Sequence, residues 1–428
     1  MTVHLAVKIF ILSLVAFFVS QGNIVPASAA EPGGSPATEI KNSQQMQSPV
    51  KEEKTIVPFL DSAPDRNAIG CVLPLSGKYG DYGSKALDAV LLAAGVFDGK
   101  NKTARKIFVE DSRGLPEGIR SAVGHLAKTK NVMAIIAVAG TAEAIVVANE
   151  ADKWKIPIIL ISSKEGVTGA SNYLFQHFLT PSQQIESLVN YALNRLNCAI
   201  FSILYPRDEY GVEMVKIFRA EAAKIGGKVE HAIPYGKTQT DFTEEIKKIT
   251  GDGISPAQKV NVRRGETKTP VSIDFEALFI PDSFSRVRMI TSQLAYYDVK
   301  GARLLGTSLW NSPGLLKDGA EHLEGAIFAD SFFVNSFYPE VNDFVDIYYT
   351  AYSREPENIE ALAYDTAGMM ISVLEDGNVQ TREQFIGSLQ QLKNYRGVTG
   401  ITSFSSDRVA RKNAFILQVR NGKLEQVK

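Results

Sequence analysis

The stretch LPLSGKYGDYGSK at residues 73–85 holds the densest set of chemically suggestive residues in this chain. An apolar run stops at Pro74, turns through Gly77, Gly80 and Gly83, and opens a helix, as a nucleotide-binding loop does. A phosphate loop needs four residues between its glycines, then Lys and Ser/Thr in that order. Here Gly77 and Gly83 have five residues between them and Ser84-Lys85 reverse the order, with no acidic residue completing a dinucleotide fingerprint. Phosphate is therefore not the expected ligand. What remains is a loop between a strand and a helix, where glycines admit close approach and free N–H groups meet a carboxylate or other polar group. Elsewhere catalytic spacing is missing. The histidines at 4, 125, 177, 231 and 322 show no metal-ligand pattern, and there is no GxSxG elbow, HExxH or paired-cysteine motif. The expectation is a non-catalytic protein with no cofactor and no metal site.

The elements that position this loop follow from the patterning. Hydrophobic residues make up 45% and charged residues 22% of the 428, and the net charge is −1. That balance points away from nucleic acid or an anionic membrane surface as partner. Residues 1–30 read as a secretory signal: Lys8, the apolar run IFILSLVAFFVS, then small residues in ASAA, with cleavage expected near Ala29 or Ala30. An uncleaved anchor is the alternative; the absence of a cysteine at that point argues against a lipoprotein. Residues 31–64 hold five prolines and no apolar periodicity, as a disordered linker does. Cys71 and Cys198 are the only cysteines, each inside a strand-like run, so they read as buried hydrophobes.

From residue 68 apolar strands AIGCVLPL, KIFVE, VMAIIAVAG and IPIILIS alternate with helices: Ala86, Leu87, Val90, Leu91 and Ala94 recur with helical spacing, and further helices are expected at about 116–129 and 141–153. Strands that are apolar throughout need cover on both faces, which predicts an α/β fold with a doubly wound parallel sheet. The alternation restarts after TPSQ at 180–183, where Thr180 caps, Pro181 opens the helix and Gln183 is expected to reach back to the cap. CAIFSILY, helix 210–225, KVEHAI, FEALFI and RLLGTS build a second lobe. Residues 251–274 interrupt it as a polar insertion. A late helical block at 338–353, 357–376 and 381–392 is expected to pack on the first lobe, and the closing strands to return to the second.

IGCVLPLSGKYGDYGSKALDAVLLAAG, the run from VEDSRGLPEG to KIPIILIS, YPRDEYGVEMVKIFRAEAAKIGGKV and ALAYDTAGMM together resemble the leucine/isoleucine/valine-binding family of type 1 periplasmic binding proteins, over about residues 68–420. DFEALFIPDSFSRVRMITSQLAYYDVKGARLLGTSLWNSPG is most similar to the branch that includes penicillin-binding-protein activators, whose extra helical-repeat domain has no counterpart here. The resemblance implies two doubly wound lobes joined by a three-strand hinge, with crossovers near 180, 330 and 396. Lobe 1 is then 65–180 plus 331–396, and lobe 2 is 181–330 plus 397–428. It also implies a small polar ligand, such as an amino acid, held between the lobes of a periplasmic monomer. A membrane permease of an ABC transporter is the implied partner, or a peptidoglycan synthase if the protein regulates cell-wall synthesis.

The same resemblance places site residues. Ser76 and Tyr82 fall in the first cleft loop, Gly140 and Thr141 in a loop that grips the ligand carboxylate, and Ser162 and Ser163 in a second such loop. Tyr210 falls where an aromatic closes the pocket from lobe 2. Where amino-acid binders place small residues this chain has Lys164, which would favour an anion. Where they place an acid for the ligand ammonium it has Trp310, which would stack a ring or sugar, with Asp282 as the neighbouring substitute. For the hydroxyls and Asp282 the competing reading is helix capping, and for Tyr82 it is loop packing.

Overall fold

A computed structural model describes residues 63–96, 105–251, 271–312, 314–317 and 320–427. The expected export segment, nearly all of the expected linker and most of the expected insertion lie outside the described residues. The first sheet contains β1 (Asp65–Leu73), β2 (Lys106–Asp111), β3 (Val132–Val138), β4 (Ile158–Ile161) and β5 (Leu174–Gln176), paired in the order β2-β1-β3-β4-β5, all parallel. Every residue of β3 is buried, as its unbroken apolar sequence predicts. Helices α2 (Pro116–Lys128) and α3 (Ala144–Trp154) cover one face, packing Val123, Leu126, Val147 and Ala148 on Val72, Ile135 and Leu160. The other face is covered by α1 (Gly80–Ala93) and by elements from far along the chain.

The second sheet repeats the plan with β6 (Ile200–Pro206), β7 (Lys228–Tyr235), β8 (Ala277–Phe279), β9 (Arg303–Gly306) and β10 (Ile327–Asp330), all parallel. Its helices are α4 (Pro181–Leu196), α5 (Glu209–Lys224), α6 (Thr243–Thr250) and α7 (Phe284–Tyr296). The late helices α8 (Pro339–Tyr352), α9 (Asn358–Glu375) and α10 (Arg382–Gln391) match the expected block. Helix α9, buried along most of its length, packs against α1, β3 and β4, and Arg382 of α10 donates to the Val132 carbonyl at 2.8 Å.

Three short strands follow, β11 (Tyr395–Gly397), β12 (Gly400–Phe404) and β13 (Ala410–Lys412), in an antiparallel sheet of their own. The chain enters the second sheet only at β14 (Phe415–Arg420), antiparallel to β10, with β15 (Lys423–Gln426) beyond it. Residues 397–412, expected in lobe 2, thus join neither large sheet; Val409 bridges to Gln176 at the end of β5. Gln183 also departs from expectation. Thr180 accepts the Gln183 N–H as a cap should, but the Gln183 side chain grips β13 instead, donating to the Ala410 carbonyl and accepting from the Lys412 N–H. Cys71 and Cys198 are free and buried. Among the described residues no helix is long and apolar enough to cross a membrane.

Candidate functional site

In the first sheet the chain runs outward from β1 to β2 on one side and to β3, β4 and β5 on the other. The loops after β1 and β3 therefore diverge and leave a crevice at the carboxyl ends of the strands. The opening glycines serve this geometry. A Cβ on Gly83 would lie 2.1 Å from the Pro74 carbonyl oxygen, so α1 presses directly on the end of β1. Gly211 repeats the device in the second sheet, 2.1 Å by the same measure from the Pro206 carbonyl oxygen.

A cavity of about 430 Å³ occupies the first crevice, walled by Tyr79, Tyr82, Ile119, Phe178, Gly140 and Ser162, with Ser163 on its rim. Glu143 folds back over Gly140, its carboxylate 2.6 Å from where a Cβ would stand. Tyr82 and Phe178 also wall a second cavity, about 960 Å³, that runs between the lobes. Ser308, Asn311, Ser312 and Leu316 line it from the second lobe, and Glu355, Glu357, Asn358 and Ile359 from the segment that opens α9. Asp330, at the end of β10, forms its floor and is almost wholly buried.

The Asp330 carboxylate accepts from the Asn311 amide at 2.8 Å, from the Asn358 amide at 2.7 Å and from the Ser331 N–H at 2.6 Å. Burial pushes its pKa up to about 6, and these donors oppose the rise. No spacing signal marked this cluster, because its members lie on three separate elements.

Of the residues expected from sequence, Tyr82, Gly140, Ser162 and Ser163 surround the first cavity. Ser76, Thr141, Lys164, Tyr210, Asp282 and Trp310 are not among the lining residues of either cavity. Ser76 donates to Asp111 at 2.5 Å and braces its own loop. Burial works to raise the Asp111 carboxyl, but donors from Ser76, Arg113 and Leu75 outweigh it and hold the group below the usual carboxylate range. Thr141 and Lys164 are exposed; the Lys164 carbonyl accepts from the buried Gln176 amide at 2.8 Å.

Tyr210 and Asp282 do follow β6 and β8, the switch point of the second sheet, but both groups are engaged there. The Tyr210 hydroxyl meets Thr307 at 3.3 Å, and Asp282 accepts from Tyr235 at 2.8 Å and from the Ser283 N–H at 2.6 Å. Trp310 is a correction. Its ring is fully buried against Gly306 and Phe328, and its N–H donates to the Ile280 carbonyl at 3.1 Å, so no face is open for stacking.

A second polar cluster lies in the interior where β5, α9 and the small sheet meet. Asp365 accepts from the Val398 and Thr399 N–H groups at 2.8 Å each and from the Thr399 hydroxyl. Lys412 donates to Thr399 and, at 2.7 Å, to the His177 ring, whose other nitrogen lies 2.8 Å from Thr366. The Thr366 hydroxyl donates on to the Leu362 carbonyl at 2.6 Å, which makes it the acceptor for a neutral His177. Burial is the main cause of every shift here, raising Asp365, pushing Lys412 down to about 7 and holding His177 well below the ordinary imidazole range.

Two doubly wound lobes with a cavity between them define a bilobal binding protein of the type 1 periplasmic fold. The family described as periplasmic binding protein matches residues 68–423, and the chain belongs to it. Solved structures of similar shape include a protein of Rhodospirillum rubrum named for branched-chain amino acid ABC transport, with TM-score 0.72 and 21% identity over 84% of this chain and 99% of that one. The branched-chain amino acid transporter substrate-binding protein LivJ of Streptococcus pneumoniae, solved with isoleucine, is similar at TM-score 0.61 and 22% identity, covering 84% and 99%. A solute-binding protein of Rhodopseudomonas palustris, solved with 3,4-dihydroxybenzoic acid, gives TM-score 0.62 and 16% identity, covering 84% and 95%. A search of curated proteins finds no match.

Proposed function

We propose that this protein is an exported, non-catalytic substrate-binding component of an ABC transport system. It takes one small polar ligand, such as an amino acid, between its lobes and closes on it about the three crossovers. The observation that carries this reading is the larger cavity, which draws walls from both lobes and shares Tyr82 and Phe178 with the cavity at the end of the first sheet. A ligand seated there touches both halves and so stabilises their closure. The closed form would then present one joint surface to a membrane permease. Similar proteins carry isoleucine and 3,4-dihydroxybenzoic acid, which supports a ligand of that size.

Thermal-shift measurements against amino acids, aromatic acids and muropeptides test the reading. A ligand at about 100 times its dissociation constant adds roughly 2.7 kcal/mol to stability, a shift of several degrees. Absence of any shift across the panel would remove the transport reading. Sequencing the N-terminus of the exported protein tests cleavage near Ala30.

A further inference from the structure

We propose that a third cavity, apart from the two described above, is a separate site for a small zwitterion that carries an apolar group. It has a volume of about 370 Å³ and shares no lining residue with the other two. Its walls come from the start of α8, the β11–β12 hairpin, the link from β13 to β14 and the end of β15.

Part of this wall is apolar and open. Tyr338 is 45% and Ile401 46% exposed, and the Tyr338 ring meets the buried Phe415 edge to face at 5.8 Å. A ring or branched side chain laid against them would shed water from both partners.

The polar part carries both signs of charge. Arg396 and Glu340 border the same cavity. They do not pair with each other, and neither makes an ion pair or side-chain hydrogen bond with any other described residue. Gln426 adds a donor. Its carbonyl oxygen accepts from the Ser336 hydroxyl at 2.6 Å, which leaves the amide nitrogen for another partner. An anion alone would satisfy Arg396 and Gln426 but meet the Glu340 carboxylate. A cation alone would satisfy Glu340 but meet the guanidinium. A molecule with both a carboxylate and an ammonium answers each charge, and the guanidinium fork suits a carboxylate in particular.

Phe415 pairs in register with Asp330, the floor of the interlobe cavity, so the two sites adjoin through one strand pair and a local probe is needed to separate them. Tyr338→Trp puts a fluorophore in the wall, while Trp154 and Trp310, the only native tryptophans, lie outside it. The full-length variant is titrated at neutral pH with L-phenylalanine, 3-phenylpropanoate and 2-phenylethylamine, each up to about 10 mM, enough to detect a dissociation constant of about 1 mM. L-Phenylalanine should change the emission beyond any change in the parent protein. It should half-saturate at a concentration at least about fivefold below that of the acid or the amine. In that background Arg396→Gln should bring L-phenylalanine to the level of the amine, and Glu340→Gln to the level of the acid. Tyr82→Ala, which weakens the interlobe cavity, should leave this titration unchanged. Ile401→Trp, at another exposed wall position, repeats the measurement and replaces Tyr338→Trp should that variant unfold. Equal half-saturation by all three probes, a preference that survives both charge substitutions, or silence of both reporters overturns the site. Loss of the response in Tyr82→Ala also overturns it, and would place the binding in the interlobe cavity, leaving the cleft reading standing.

Discussion

The interior cluster around Asp365 and the cavity cluster around Asp330 use the same materials in opposite ways. Both are built on an almost wholly buried carboxylate that burial pushes upward. Around Asp365 the hydrogen bonds run inward from Lys412 through Thr399 and His177, and end at the acid and at the Leu362 carbonyl. Around Asp330 they run inward too, but the carboxylate and both amide donors line the interlobe cavity. A polar cluster closed on itself holds the scaffold together; one that borders a cavity is placed to meet a ligand.

Breaking the closed cluster should have the largest effect. Asp365→Leu strands two backbone N–H groups and the Thr399 hydroxyl, and leaves Lys412 without its countercharge. We expect a loss of about 3–5 kcal/mol in urea unfolding. A loss under about 1 kcal/mol would mean that the cluster does not hold the crossover region.

The next effect is on pH. The unfolded lysine keeps its proton up to its ordinary 10.5, but folded Lys412 releases it near 7. Between these values the unfolded state binds more protons, so this group makes stability rise with pH, and below 7 its penalty is constant. The gain is at most about 1.4 kcal/mol per pH unit. Measurement from pH 7 to 8 stays below the window in which Cys71, pushed up to about 12 by burial, opposes the trend. Lys412→Met should flatten the rise; an equal rise in the variant would place the titration elsewhere.

On the cavity side the effects move from stability to binding. Tyr82 walls both cavities and is 42% exposed as a residue. Tyr82→Ala should change stability by no more than about 0.5 kcal/mol, yet weaken an established ligand about tenfold, or about 1.4 kcal/mol. The smallest effect belongs to Lys164→Ala. That side chain is exposed and lines neither cavity, so stability should stay within about 0.5 kcal/mol and affinity within about twofold. A large loss of affinity would return Lys164 to the site.

These contrasts also mark what sequence can reveal. Strands such as VMAIIAV and helices α8 to α10 were legible because periodicity and apolar runs are local. Tyr82, Gly140, Ser162 and Ser163 were placed by the family resemblance, and they come together because the segments after β1, β3 and β4 share one rim. Trp310 could not, since its burial depends on a turn that tucks the ring under Gly306, a position without a side chain. Gln183 showed a capping spacing, but β13 offered its side chain better partners. Asp330, Asn311 and Asn358 looked ordinary because nothing local ties the end of a strand to a turn and a distant helix.

The place of α9 has a consequence for the order in which the protein can fold. All five strands of the first sheet are made before any of β6 to β10, but the helix that covers one of its faces follows them all. A chain emerging from N- to C-terminus therefore carries a finished set of strands with Ile69, Ile136 and Ile159 only partly covered, by α1, until the second lobe has passed. That lobe cannot reach its native packing early, and its last contacts close a long loop, which slows folding. Delay of this kind would suit the export across a membrane proposed above.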